Sequence, residues 1–483
     1  MAHAVSEPAR ATRHAGLFAA LLVMLAWAPI PIGSNREWSS ALLAAGFLLV
    51  SAGWFLSCVW RPFPLPDALR TMRVPLILLV LWAAYPLLQL MPLPSAAAAA
   101  LGGEAQNFYA LLPGQGAQGH AYLSVDRGAT FSGLIRQSSQ VAVFASVVAL
   151  VVTPRRLFAL MAVLTAVGFA QALYGLVLYF GGGELGMWSP GQAADTVSGT
   201  YVNQNHFAGM MEVAIPAACG LLMSDRSEQA FIAGPRDITR YVSELLLSQR
   251  GLILFSVLIM SGALILTTSR GGIGSLAIGI AAAAAIAVWK KGVRARELRV
   301  GVIAVALALI AVSWLGSGQF SEKLKSAGLA SNRADQREIG YRIIEDNLST
   351  GTGLGSYRWV FSAYKDERFG GYFYEHAHND YLEILAEQGI IGFVLVASAV
   401  VLVMARNARA FVRRRDSLAR GALFASMAGC VSLMVHGLVD FNFQIPANAA
   451  FYFVLLAMGV AASEICRNAE ERPSAEAVPS GSP

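Results

Sequence analysis

The stretch HAHNDYLEILAEQGIIGFVLVASAVVLVM, His376 to Met404, shows what kind of protein this chain forms. Two histidines, an asparagine and several carboxylates lead into a predominantly apolar run from Leu382 to Met404. Roughly 20 apolar residues are enough for a helix to cross the hydrocarbon core of a bilayer. The stretch therefore predicts a membrane-spanning helix with polar chemistry at its entrance.

Apolar runs of this length recur along almost the whole chain. Of its 483 residues, 56% are hydrophobic and only 14% are charged, whereas about a quarter of the residues in soluble domains are charged. We therefore predict an all-α polytopic membrane protein with about 12 transmembrane helices, and a soluble globular protein is excluded. The predicted spans are Leu17 to Gly33, Trp38 to Trp60, Val74 to Leu93, Leu134 to Val152, Leu157 to Phe180, Phe207 to Met223, Gly251 to Thr268, Ile273 to Trp289, Val300 to Gly316, Leu382 to Met404, Ala422 to Val439 and Ala449 to Ile465.

Lysines and arginines collect in alternate loops between these spans. Such residues are retained on the cytoplasmic side of a membrane, so both termini are expected to be cytoplasmic. The sequence pI of 9.2 follows from this topology, and no nucleic-acid partner is needed to explain it. The basic loops carry Arg61, Arg70 and Arg73, then Arg155 and Arg156, then Lys290, Lys291, Arg294, Arg296 and Arg299, and finally Arg406 to Arg420.

The spans and loops divide the chain into five predicted regions. The first run resembles a secretory signal, but the many spans behind it favour an uncleaved first helix. The four cysteines have no paired spacing, so neither a disulfide framework nor a metal site is expected, and no cofactor is implied. The regions are a cytoplasmic N-terminus at 1–16, transmembrane helices 1–9 at 17–316, a large periplasmic loop between spans 9 and 10 at 317–381, transmembrane helices 10–12 at 382–465, and a disordered cytoplasmic tail at 466–483.

Most unusual polar residues lie on the face opposite to the basic loops. That face is periplasmic if the membrane is the inner membrane of a Gram-negative cell, and the function is expected there. Its segments are Ser95 to Gly133, Gly181 to His206, Ser269 to Gly272, Ser317 to Tyr381 and His436 to Asn448.

The hairpin TTSRGG, Thr267 to Gly272, places Arg270 on this face. Positive charge is usually excluded from short loops on the far side of a membrane. One interpretation is an arginine that extends to lipid headgroups. The interpretation that we favour is an anion receptor, because a guanidinium group binds phosphate oxygens through two parallel hydrogen bonds.

His378 lies directly before the predicted start of the span that begins at Leu382. A neutral imidazole can act as a general base, and this one is accompanied by Asn379 and by acidic residues, so we interpret it as catalytic. The alternative is a structural histidine at the membrane interface. His376 completes an H-x-H pair, but no further histidine or cysteine cluster completes a metal site there.

The acidic residues of this stretch have two interpretations. Asp380 and Glu383 have the spacing of a capping box, which makes a structural role at the helix start the simpler one. Glu387 lies one turn further in, and a carboxylate inside a span is a functional candidate. Gly389 and Gly392 are expected to permit close packing of helices.

The long loop before His376 carries interleaved charges in NRADQREIGYRIIEDN, Asn332 to Asn347. Most such charges cover solvated helix faces, so only one or two of Arg333, Arg337 and Arg342 are expected to contact ligand. The glycine-rich GTGLGSY, Gly351 to Tyr357, lacks the strand and helix of a nucleotide-binding loop and is expected to be a flexible turn.

Two further polar patches, YVNQNHFAG at 201–209 and HGLVDFNFQIPAN at 436–448, end spans on the same face. Aromatic rings and amides suit carbohydrate, whose faces stack and whose hydroxyls need donors and acceptors. The alternative is an interfacial aromatic belt with polar caps. The candidate substrate contacts here are Asn203, Asn205, His206, His436 and Asp440.

Taken together, these motifs resemble the bacterial O-antigen ligase superfamily, which also contains the Wzy-type polysaccharide polymerases. His378 and Asn379, followed after nine residues by Gly389 and then Gly392, reproduce the family's H-[NSQ]-x9-G-x-x-G signature. SNRADQ and IIEDNLSTGTGLGSY are similar to the family's large periplasmic loop, and TTSRGG is similar to its arginine-bearing hairpin. DNLSTG departs from the family, which commonly has a proline after the aspartate.

The resemblance implies an inverting, metal-independent glycosyltransferase of the GT-C type. Such an enzyme moves a glycan from undecaprenyl pyrophosphate to an acceptor hydroxyl in the periplasm. His378 is similar to the family's essential histidine, Arg270 to its hairpin arginine, and Arg333 to its loop arginine, although Arg337 could align there instead. Asn379 and Glu387 are further candidates for substrate contact.

The expected function is that of a polymerase of surface polysaccharide repeat units. The alternatives are an O-antigen ligase, whose acceptor is the lipid A core, and a polytopic glycan transporter or flippase that uses Arg270 and Glu387 as pathway charges. The C-terminal patch and the extended first periplasmic loop favour the polymerase. The expected partners are the lipid-linked donor, a saccharide or lipid A core acceptor and the bilayer, with polysaccharide export machinery as a further candidate.

Overall fold

The computed structural model describes residues 13–60, 65–103, 120–183, 185–187, 195–224, 248–289 and 328–470. In these ranges, ten helices are long and apolar enough to cross a membrane, which agrees with the all-α polytopic architecture expected from the sequence. The helices are α1 (Ala15–Trp27), α2 (Glu37–Trp60), α3 (Arg73–Leu90), α4 (Arg127–Leu150), α5 (Pro154–Phe180), α6 (Gln204–Ser224), α7 (Gln249–Leu266), α8 (Arg270–Trp289), α9 (Gly328–Asn347), α10 (Tyr357–Tyr364), α11 (Asp380–Arg413), α12 (Ser417–His436) and α13 (Pro446–Glu470). Of these, α1 is shorter than a full span, and α9 and α10 are not apolar spans.

Short elements fill the connections. Two two-residue strands, Leu93–Pro94 and His120–Ala121, pair antiparallel. Further short pieces are the helices Asp67–Thr71 and Ser95–Leu101 and the 3₁₀ turns Ile32–Ser34, Glu367–Phe369 and Asn442–Gln444.

All but one of the predicted spans coincide with a helix of the structure. The exception, Val300 to Gly316, lies outside the described residues, as do most of the N-terminus at 1–16, the start of the loop at 317–381 and most of the tail at 466–483. The first span is shorter than expected, because α1 ends at Trp27 and the chain continues in turns to Ser34. The division into five regions stays a prediction.

Three helices form the centre of the bundle. In α13, 94% of the spanning window is buried inside the protein, and α6 and α12 follow with 78% and 72%, whereas α7 has only 17%. Small residues allow these helices to approach closely: a Cβ on Gly220 of α6 would lie 2.4 Å from the carbonyl oxygen of Gly421 on α12. At the other ends of these helices, Asn448 Nδ2 of α13 donates to His206 O of α6 at 2.8 Å, and His436 Nδ1 of α12 lies 2.6 Å from Glu212 Oε1 of α6, so the polar ends are also held together.

Helix α11 is broken at Gly389, where φ is +61°. Ile390 N donates to Leu348 O, and Gly353 N donates to Glu387 O, so the loop that contains GTGLGSY docks against the break. A Cβ on Gly389 would lie 2.6 Å from Ser349 O. This glycine therefore admits a loop backbone, which differs from the expected helix packing, and the loop is a hydrogen-bonded structure where a flexible turn was expected.

A small second core covers the end of the bundle beside this break. It contains Ile339 and Ile343 of α9, Phe361 of α10 and Leu382 and Ala386 of α11, all buried. Glu387 is also buried, and its Oε1 accepts a hydrogen bond of 3.0 Å from Tyr357 N. The layer of α9 and α10 is thereby fastened to the first turns of α11.

Candidate active site

The first turn of α11 is joined to the segment that follows α12. Asn379 caps α11 by accepting from the backbone N–H groups of Tyr381 and Leu382, and its Nδ2 donates to Leu438 O at 3.1 Å. The buried Asp380 accepts from Phe443 N at 3.2 Å, and its own N–H donates to Gly437 O. These contacts hold residues 437–443 next to His378, the residue directly before Asn379.

Asn379 is thus the N-cap, one residue before the expected cap at Asp380. Glu383 does not close a capping box with Asp380. Its two carboxylate oxygens bind His376 Nδ1 at 2.7 Å and Ala377 N at 3.0 Å. The acidic residues of the stretch therefore order the histidine-bearing turn.

Asp440 connects three of the segments singled out in the sequence. Its Oδ2 accepts from Asn205 Nδ2 at 2.5 Å, its Oδ1 accepts from Phe441 N at 2.9 Å, and His378 Nδ1 lies 3.5 Å from Oδ1. His206 Nε2 is 3.8 Å from the same oxygen. The carboxylate side chain is only 2% exposed, so its position is set by these partners.

The electrostatics of this group keep Asp440 ionised. Burial raises the pKa of Asp440, but the His378 and His206 imidazoles and the Phe441 N–H lower it by more, and the pKa lies below its ordinary value. A fixed negative charge therefore faces Nδ1 of His378 at neutral pH.

His378 has an unusual backbone conformation, with φ at +49°. Left-handed backbone is uncommon for residues other than glycine, and it is retained where the surrounding structure imposes it. The side chain is 27% exposed, and its Nδ1 faces Asp440. Because Nε2 is on the far edge of the ring, it is the nitrogen left to meet a ligand.

The ring of Phe441 lies among three imidazoles. The ring centroid of His376 is 4.5 Å away and stacked, and those of His206 and His378 are 4.5 Å and 4.9 Å away in edge contacts. The cluster unites all three polar segments, and its rings and amides are suited to a sugar ring.

The His376–Glu383 pair predicts a pH-dependent stability. Burial lowers the pKa of His376, but the Glu383 charge and hydrogen bond raise it by more, so the folded-state pKa lies above 6.5. Its stabilising contribution is therefore complete below about pH 6.5 and is lost as pH rises through the folded-state pKa. We expect His376→Gln to lower the melting temperature by about 1–2 °C at acidic pH, with a smaller difference at pH 9, as measured by thermal denaturation in detergent.

His14, at the opposite end of the bundle, provides the matched control. Burial and the charges of Arg13 and Arg156 lower its pKa, so the wild-type histidine destabilises the fold at acidic pH. His14→Gln should therefore raise the melting temperature at low pH. If the melting temperature that His376→Gln loses were larger at high pH than at low pH, the assignment of a raised His376 pKa would be wrong.

A second buried pair lies beneath the Arg270 hairpin. His436 Nδ1, at the end of α12, is 2.6 Å from Glu212 Oε1 in α6, and both side chains are buried. A Cβ on Gly271 would lie 3.1 Å from His436 Nε2. Because Gly271 and Gly272 have no side chains, the hairpin can sit directly on the pair, and Arg270 begins α8 as an exposed residue.

The remaining candidates lie in different places. Arg333 lies in α9, and its side chain is not among those that the structure describes. Arg337 lies on the same helix and is half-buried, and its Nε has no hydrogen-bond partner within the described ranges. Asn203 Oδ1 accepts from Asn205 N at 2.8 Å, which orders the turn before α6. Glu387 binds loop backbone, as described above, and His436 binds Glu212.

Two residues of these networks were not singled out in the sequence. Glu212 lies inside a predicted span, and a carboxylate there is a signal that could have identified it. Phe441 had no such signal, because its position among three imidazoles depends on the docking of 437–443 onto α11.

Residues 255–397 match the family model described as O-antigen ligase. This segment is therefore similar to the O-antigen ligase family. The match confirms the resemblance to the O-antigen ligase superfamily that the motifs indicate, and it supports a glycosyltransferase-like function of ligase or polymerase type. No curated protein matches the chain in a sequence search.

The matched segment contains Arg270, Arg337 and His378, but it ends before α12. Asp440, His436 and the Asn205–His206 segment lie outside it. The geometry around His378 is therefore completed by parts of the chain that the family match does not cover.

Proposed function

We propose that this protein is an inverting, metal-independent glycosyltransferase that transfers glycan from undecaprenyl pyrophosphate to an acceptor sugar hydroxyl, as a polymerase of surface polysaccharide repeat units. The observation that carries the proposal is the His378 imidazole, which is partly exposed, lies in the segment that matches the O-antigen ligase family, and is held 3.5 Å from the buried carboxylate of Asp440.

In the proposed reaction, the acceptor hydroxyl oxygen attacks the anomeric carbon of the donor sugar. The bond from that carbon to the pyrophosphate oxygen breaks, and the electron pair leaves with the pyrophosphate. His378 Nε2 accepts the proton of the hydroxyl, a contribution of about 10²- to 10⁴-fold in rate. Attack opposite to the leaving group inverts the anomeric configuration.

Asp440 acts as a positioning residue in this scheme. Its charge orients His378 through Nδ1 and stabilises the imidazolium that forms when Nε2 takes a proton, as a carboxylate does beside a catalytic histidine. The distance of 3.5 Å is longer than an ordinary hydrogen bond, and catalytic contacts often shorten when substrate binds.

Arginines stabilise the departing pyrophosphate. Negative charge grows on the phosphate oxygens in the transition state, and fixed guanidinium groups bind it more strongly there than in the ground state. We assign this role to Arg270 and to one of the two α9 arginines, Arg333 or Arg337. The N-terminus of α8, where Arg270 lies, adds a favourable dipole for an anion.

The acceptor sugar is assigned to the cluster around Phe441. Asn205, His206 and His376 surround this ring with hydrogen-bonding groups, and an aromatic face stacks on sugar C–H groups. We further propose that the site faces the periplasm of a bacterial inner membrane, because the basic loops of the sequence fall on the other side.

The test is the set of lipid-linked glycans that accumulate in a deletion strain. A polymerase joins repeat units on the carrier, so its loss should leave a single repeat on undecaprenyl pyrophosphate and little long polymer, which is the expected result. A ligase acts after polymerisation. Long carrier-linked chains together with a bare lipid A core would therefore show that the protein is a ligase and not a polymerase. If the carrier-linked glycans and the lipid A core of the deletion strain were both unchanged, the polymerase and the ligase forms of the proposal would both be refuted.

A further inference from the structure

A cavity of about 180 Å³ lies inside the spanning part of the protein, beside the site but separate from it. Its walls are mainly apolar side chains of α2, α3, α4, α11 and α13, among them Phe47, Trp82, Val400 and Phe453. One lining residue, Leu354, belongs to the loop that docks on the break in α11. The cavity therefore extends from the docked loop into the apolar interior of the bundle.

One wall carries a cation. Arg136 is the tenth residue of α4, about 13 Å along the helix from its start at Arg127, and it lines the cavity. In the part of the chain that the structure describes, no carboxylate lies within 4 Å of its guanidinium group. An arginine within a span is a functional candidate, because an unpaired charge in that environment is costly.

A second polar group on the cavity wall has no partner. Gln388 is 1% exposed, lines the cavity, and its Oε1 has no hydrogen-bond partner among the described residues. Buried polar groups are normally paired, so an orphaned amide and an arginine that line the same cavity indicate a polar ligand group there. The remainder of the wall is suited to an apolar chain.

The cavity and the Arg270 hairpin lie on opposite faces of α12. Met434 lines the cavity, whereas His436 packs beneath Gly271. Residues two positions apart on an α-helix point about 200° apart, because each residue turns the helix by about 100°. A phosphate on Arg136 and a pyrophosphate on Arg270 would therefore lie on different sides of α12.

The size of the cavity favours a single chain. A cavity of about 150 Å³ holds one benzene molecule. By that comparison, this cavity accepts on the order of one or two five-carbon isoprene units of one chain.

We propose that this cavity is a second lipid site, which holds the first isoprene units of a polyprenyl phosphate lipid with the phosphate on Arg136. The inference rests on the proposed function, because a second carrier-linked glycan is the acceptor that a polymerase requires. The site places the anchor of this second substrate across α12 from the donor pyrophosphate.

Native mass spectrometry of the full-length protein tests the proposal. The probe is undecaprenyl phosphate, and phosphatidylglycerol is the competitor that represents an ordinary bilayer lipid. We expect two bound copies of undecaprenyl phosphate on the wild type. Arg136→Gln, which removes the cation, and Ala397→Phe, which fills the cavity, should each weaken one binding event about tenfold.

Matched controls keep the result specific. Arg127→Gln makes the same change at the start of α4, over the Tyr122 ring, and Val394→Phe makes a similar enlargement at an exposed position of α11. Both should retain two copies. A single bound copy on the wild type, two copies on Arg136→Gln, or equal displacement by phosphatidylglycerol would each overturn the second site.

Transfer activity separates this inference from the proposed function. His378→Ala should bind two copies of the carrier and transfer no glycan. A wild type that binds two copies but transfers nothing would refute the glycosyltransferase and leave the lipid site standing.

Discussion

Replacement of His378 by alanine is expected to reduce glycan transfer by about 10²- to 10⁴-fold while the protein remains inserted and abundant. The reason is that Nε2 of this ring is the nitrogen left to accept the hydroxyl proton, since Nδ1 faces Asp440 at 3.5 Å. The measurement is transfer in membranes supplied with lipid-linked donor, normalised to the amount of protein.

A second variant distinguishes catalysis from a local structural role. Asp440→Asn preserves size but removes the charge that orients the ring, and it should lower the turnover rate at least about tenfold with little change in apparent donor affinity. His14→Ala, at the other end of the bundle, is the matched control and should retain activity. Normal transfer by His378→Ala would remove this histidine from the mechanism and favour the transporter alternative.

Arg270→Lys is expected to be nearly as damaging as Arg270→Ala, with a loss of about 10²- to 10³-fold in transfer. Lysine keeps the positive charge but lacks the planar fork that binds two phosphate oxygens at once. The hairpin cannot adjust to the different geometry, because Gly271 and Gly272 pack against His436 and Ala208. The measurement is the same transfer assay over a range of donor concentrations.

Arg250→Lys is the matched control for this change. It lies at the start of α7, at the far end of the same helix pair, and should keep wild-type transfer. If Arg270→Lys retained most of its activity, a point charge would be sufficient. Attraction to lipid headgroups would then explain Arg270 better than recognition of pyrophosphate.

The glycine-rich segment shows where local sequence was insufficient. GTGLGSY has no hydrophobic pattern, so a flexible turn was the natural expectation. Its order comes from hydrogen bonds to residues elsewhere in the chain, such as Thr352 N to Ala386 O and Leu354 N to Gln89 Oε1. The left-handed Gly351, Gly353 and Gly355 allow the backbone to follow the break in α11.

The sequence alone determined the membrane class, nearly all of the described spanning helices and the importance expected for His378 and Arg270. Apolar run length and loop charge are local properties, because lipid acts on each segment separately. Only the tertiary structure placed Asp440 beside His378, Glu212 beside His436, and Arg136 in an apolar cavity. A buried polar group needs a partner, and in this protein those partners come from distant helices whose packing no single segment specifies.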